Sequence, residues 1–78
     1  MTKREFLASL EEILEEPPGK LTGSESLQKD LKGWNSLTVL SFIAMVDEYF
    51  NVTLSAKQIA DCATVNDLMG LLADRISE

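Results

Sequence analysis

The chain has 78 residues, of which 45% are hydrophobic and 26% charged, with a net charge of −6 and no histidine. One small domain spanning residues 1–78 is expected, with a core that buries about 60% of its unfolded surface, too small for the deep cleft of most enzymes. The acidic balance argues against nucleic acid and anionic membrane, no segment is long enough to cross a bilayer, and the charge favours partners with basic surfaces.

The first element opens at Thr2-x-x-Glu5, a spacing at which an N-cap oxygen takes one backbone N–H while the acid returns to another. Phe6, Leu7, Leu10, Ile13 and Leu14 follow at helical spacing, and Pro17-Pro18-Gly19 closes the segment, which predicts helix I over about residues 3–15. Glu11, Glu12, Glu15 and Glu16 are read as its solvated face.

About 20 residues separate this helix from the next, longer than most connections in compact domains, so the loop carries either function or structure of its own. Leu21, Leu27, Leu31 and Trp34 are its expected anchors, and one helical turn fits around Ser26 to Leu31. A second capping-type spacing occurs at Thr22-x-x-Glu25.

Helix II is predicted from Leu37 to Phe50, a stretch without Gly or Pro. At 100° per residue, Val39, Phe42, Ile43, Val46, Tyr49 and Phe50 form a core face. Leu37, Leu40, Ser41, Ala44 and Glu48 form an opposite, partly apolar face that remains free. Ser55-x-x-Gln58 opens a short third helix with Ile59 and Cys62 inward. Thr64-x-x-Asp67 opens the last, expected from Val65 or Asn66 to Ile76 and weakened by Gly70. The fold class is thus all-α: a bundle of three main helices plus one short helix.

Between Trp34 and the apolar run of helix II stand Asn35 and Ser36. Both are preferred N-cap residues, and on local sequence alone a cap contributing about 1 kcal/mol is the simpler role. A nucleophilic serine needs a base, and the chain lacks histidine. One cysteine without histidine gives no transition-metal ligand set, and Gly19, Gly23 and Gly33 do not make a phosphate loop. A serine at a helix N-terminus is nonetheless a favourable place for a phosphodiester, because free N–H groups and the helix dipole stabilise an anion there.

Asn35-Ser36-Leu37 at the head of helix II, "VDEYFNVTLS" at its end and "ATVNDLMGLL" at the head of the last helix resemble the acyl carrier proteins and the peptidyl and aminoacyl carrier domains. The resemblance covers essentially the whole chain. It implies a carrier and not an enzyme: a phosphopantetheinyl transferase moves 4′-phosphopantetheine from coenzyme A to Ser36, and the arm's thiol holds an acyl or aminoacyl group as a thioester. Implied partners are that transferase, an acyl- or aminoacyl-loading ligase or synthetase, and downstream transferases in fatty-acid-like or secondary biosynthesis, with Leu37, Leu40, Ser41, Ala44 and Glu48 as the docking face. A cytoplasmic monomer is expected, since one unpaired cysteine and the lack of a signal-like apolar start fit a reducing compartment.

The chain departs from the family pattern at Asn35, where the family has Asp. A carrier-like interaction module that is not modified is therefore the alternative reading. Thr38 and Ser41 also make helix II less acidic than in fatty-acid carriers, and "GW-x-SL" looks more like specialised, stand-alone members. An acyl chain folded back into the bundle would meet Phe42, Val46, Ile59 and Cys62, although core packing accounts for each of them, as it does for Met45 and Met69. Trp34 is read as a loop anchor.

Overall fold

Four helix starts in this chain are written as side-chain caps, and in the computed structural model, which describes residues 1–77, all four are made. Thr2 accepts from the Glu5 N–H at 3.1 Å while Glu5 accepts from the Thr2 N–H at 2.8 Å, opening α1 (Lys3–Leu14). Ser55 with Gln58 and Thr64 with Asp67 open α3 (Ala56–Ala60) and α4 (Val65–Gly70) in the same reciprocal way. Asn35 with Thr38 opens α2 (Ser36–Phe50). The result is an all-α bundle in the expected order, with two long helices and two short ones.

Helix α1 ends before its prolines. Glu15 turns left-handed at φ 58°, and the Glu16 N–H reaches back 2.8 Å to the Glu11 carbonyl, so the helix is closed by its own last turn. Helix α4 is shorter than its apolar pattern suggests. It stops at Gly70, and a 3₁₀ turn over Ala73–Arg75 carries the chain toward Ile76, so the expectation of one helix to Ile76 is corrected. Leu72 is nevertheless buried, because the tighter turn keeps it on the core side.

Phe6, Leu10 and Leu14 of α1 meet Phe42, Val46 and Phe50 of α2, with Ile59, Val65, Leu68 and Leu72 closing the far side. Phe6 and Phe42 stack edge to face with centroids 5.8 Å apart. Leu21, Leu27 and Leu31 of the long connection are buried with them, so that connection is held by its own apolar anchors as expected. Tyr49 is not part of this core. It is 66% exposed, which corrects its assignment to the inner face: at the edge of the stripe its polar tip is left in water while Phe50 turns inward.

Two isolated bridges tie the loops down. Ser26 pairs with Thr64, through Leu27 N–H to Ala63 O at 2.9 Å and Val65 N–H to Glu25 O at 3.1 Å. Thr2 pairs with Ser77, through Lys3 N–H to Ser77 O at 2.8 Å and Ser77 N–H to Met1 O at 2.9 Å. The Ser26 region forms the expected single turn, Asp30 N–H bonding Ser26 O at 2.9 Å. Thr22 and Glu25 do not start a helix. Their side chains instead close a tight turn in which the Glu25 carboxylate accepts from the N–H groups of both Thr22 and Gly23 at 2.8 Å. Gly23 is required there, with φ 116° and the Asn66 side chain occupying the place where a Cβ would stand.

The acidic face of α1 also needs correction. Glu11 is 4% exposed and turned inward, accepting from the Gly19 N–H at 3.1 Å and the Leu21 N–H at 2.8 Å. It fastens the start of the long connection to α1. Glu12 and Glu15 do face water, and half-buried Glu16 pairs with Lys20.

Candidate functional site

The head of α2 is built by Asn35. Its Oδ1 accepts from the Leu37 N–H at 2.9 Å and the Thr38 N–H at 3.1 Å, and the Thr38 hydroxyl accepts from the Asn35 N–H at 2.8 Å. Thr38 Oγ1 also donates toward the Gly33 carbonyl, 2.8 Å away, which ties the end of the loop to the first turn of the helix. Gly33 can come this close because it lacks a side chain: a Cβ there would stand 3.2 Å from the Leu14 carbonyl oxygen. The C-terminal end of α1 therefore abuts the N-terminal end of α2.

This geometry separates the two roles that the sequence leaves open for Asn35 and Ser36. Asn35 is the cap. Ser36 is the first helical residue, exposed, and its hydroxyl enters no hydrogen bond among the described residues. No acidic side chain lies in the first turn of α2, so nothing there offsets the partial positive charge of the helix end. An anion attached at Ser36 would gain about 0.3–1 kcal/mol from that dipole.

A cleft of about 510 Å³ opens beside Ser36 between α2 and α3. Trp34, Val39, Leu40, Ile59 and Cys62 give it apolar walls, and Ala56 and Ala60 leave it wide by being small. Trp34 packs edge-on against Phe42 at 6.2 Å, so the expected loop anchor is also one wall of the cleft. Of the residues considered for an enclosed chain, Ile59 and Cys62 line this space. Phe42 and Val46 do not: both are 0% exposed and sealed in the core. Burial pushes the Cys62 thiol above its ordinary pKa, with Asp67 and Asp61 adding to the shift, and the thiol donates to the Gln58 carbonyl at 3.4 Å. It is a quiet wall residue at neutral pH.

Leu37, Leu40, Ser41, Ala44 and Glu48 are all exposed and follow one another along α2 from the Ser36 end. Leu37 is 73% and Leu40 62% exposed, about one turn apart on the helix, and Ser41 turns its hydroxyl back to the Leu37 carbonyl at 3.2 Å. The stripe is thus apolar or neutral until Glu48. A second groove, which sequence reasoning did not anticipate, runs between α1 and α2 and is lined by Ser9, Glu12, Ile13, Met45 and Tyr49 together with the outer edge of that stripe. Helical projection of single segments could not reveal it, because it exists only where two helices meet.

Among the described residues, no cluster of histidine, cysteine and carboxylate side chains could hold a metal ion, and no helix is long and apolar enough to cross a membrane.

Comparison with known proteins places this site in context. Residues 4–72 match the family model of the phosphopantetheine attachment site. The acyl carrier protein of Exiguobacterium sp. AT1b is 28% identical over 80 aligned positions, covering 97% of this chain and all of its own. That of Exiguobacterium sibiricum is 27% identical over 79 positions, again covering 97% of this chain and all of the relative. A solved structure from Mycobacterium tuberculosis, assigned as a candidate acyl carrier protein, superposes with a TM-score of 0.75 at 26% identity, covering 90% of this chain and 92% of that one.

Proposed function

The chain belongs to the phosphopantetheine-attachment family, and on that premise we propose that it is an acyl or aminoacyl carrier whose Ser36 receives the 4′-phosphopantetheine arm. The observation that carries this reading is the division of labour at the head of α2. Asn35 alone satisfies the N–H groups of Leu37 and Thr38, which leaves the exposed Ser36 hydroxyl without a structural task. A serine kept only for capping would be bonded to those groups itself.

The residues around Ser36 suit the group. The positive end of α2 favours its phosphodiester, and the apolar cleft walled by Trp34, Leu40 and Ile59 can shelter an uncharged stem that lies back along the protein. When attached, the arm supplies a flexible reach ending in a thiol that carries acyl cargo. The protein's own part is presentation: Leu37, Leu40, Ser41, Ala44 and Glu48 form the docking face, and tethering converts each transfer from a diffusional encounter into a local one. Burying the exposed part of Leu37 or Leu40 against a partner contributes on the order of 1–2 kcal/mol each. Partners are a phosphopantetheinyl transferase, a loading ligase or synthetase, and the enzymes that take the cargo onward, meeting a monomeric carrier in the cytoplasm. The protein itself performs no turnover in this reading.

Intact mass after incubation with coenzyme A, magnesium and a broad-specificity phosphopantetheinyl transferase tests the assignment. The parent gains one phosphopantetheinyl unit and Ser36→Ala gains none. A parent that stays unmodified while Asn35→Asp is converted would mean that Asn35 has turned the carrier into an interaction module.

A further inference from the structure

The groove between α1 and α2 has a chemistry of its own. Its floor is Ile13 and Met45, both packed against the core, and the ring of Tyr49 stands exposed at one end. Its charged members are Glu12 on the α1 side and Glu48 on the α2 side, and no lysine or arginine lines it. Neither carboxylate takes an ion pair within the chain among the described residues, whereas Glu16, just past the end of α1, is paired with Lys20. The cleft on the opposite flank of α2 differs: neither acid nor base lines it, and its walls are apolar with Gln28 and Asn35 at the rim. The two flanks of α2 are therefore not equivalent. One is acidic-rimmed and apolar-floored, the other is uncharged and opens beside Ser36.

We propose that the α1–α2 groove docks an amphipathic helix of a partner enzyme, whose basic residues meet Glu12 and Glu48 while its apolar stripe covers Ile13, Met45 and the Tyr49 ring. Two roughly antiparallel helices leave a furrow into which a third helix packs by ridges into grooves. Rim carboxylates without internal partners give such a helix its orientation and its rate of encounter more than its affinity. The proposal rests on the carrier reading in naming the partner as an enzyme that handles the cargo. It adds that such a partner approaches from the α1 side, leaving the cleft beside Ser36 clear for the arm.

The test uses the full, unmodified ¹⁵N-labelled protein, so its outcome does not depend on whether Ser36 accepts the arm. The probe is a synthetic helical peptide with one leucine–phenylalanine stripe flanked by lysine and arginine, titrated while amide shifts are followed. Perturbations concentrated at Ser9, Glu12, Ile13, Met45 and Tyr49 are expected. Glu12→Lys/Glu48→Lys should weaken binding on the order of tenfold, while Glu15→Lys/Asp74→Lys, with the same change in net charge outside the groove, should leave it within about twofold. Equal weakening by both pairs, or shifts scattered over the acidic surface, overturns the proposal. So do the same shifts on raising protein concentration without peptide, which would make the occupant a second copy of this chain.

Discussion

At the level of single residues, Asn35 carries more of the site than its neighbour does. Its side chain holds two N–H groups of the α2 start, so Asn35→Ala should lower stability by about 1 kcal/mol in urea unfolding, and Asn35→Asp should leave it nearly unchanged. Ser36→Ala should leave unfolding within about 0.5 kcal/mol of the parent while losing the phosphopantetheinyl mass, since the hydroxyl has no partner to forfeit. Glu11 is the contrasting residue, polar in sequence and structural in fact. Glu11→Ala strands the buried Leu21 N–H and frees the start of the long connection, a loss of about 1–3 kcal/mol measurable by thermal or urea unfolding. Such a role leaves no local trace in the sequence. Its partners lie eight and ten positions away, beyond a left-handed turn and two prolines, and a glutamate among three others reads as solvated surface.

At the level of elements, what was legible is what is local. The caps at Thr2, Ser55 and Thr64 pair residues three apart, and that spacing is visible in any window of the chain. The cap of α2 was half legible: Asn35 and Ser36 were both candidates, and the reciprocal partner of Asn35 is a threonine and not the usual acid or amide. The weakness at Gly70 was legible too, though the helix ends there where the pattern ran on to Ile76, because apolar periodicity does not distinguish a last α-turn from a 3₁₀ one. Tyr49 shows the limit of a projected helix, which gives angles around an axis and not what packs at each angle. The serine proposed for attachment, Ser36, could be singled out only through its neighbours in order along the chain. The α1–α2 groove could not be found at all before two helices were set side by side.

Across the whole molecule, two of the four helix caps, those of α1 and α4, use a carboxylate as an anion, and this makes the fold sensitive to acid. Backbone N–H bonds from Thr2 hold the Glu5 carboxyl below its ordinary 4.5, and those from Ala63 and Thr64 hold Asp67 below 3.8. A depressed folded value means that the stabilisation is complete above the ordinary range and disappears as pH falls through the folded value. The urea midpoint of the parent should therefore exceed that of Glu5→Gln/Asp67→Asn at neutral pH, and the gap should close as pH drops from about 5 through the depressed values. A gap that stayed constant to pH 3 would show that the caps act without their charge. The pairing of Thr2 with Ser77 has a consequence of another kind. Thr2 and Ser77 meet at one pole, beside the start of α1, while the loop leading to Ser36 packs at Gly33 against Leu14, at the other end of a helix that spans about 18 Å. A label, bead or fused protein attached at either end would hang from the pole remote from the hydroxyl, and the domain could be spliced into a surface loop of a host protein as a side branch with its working end outward.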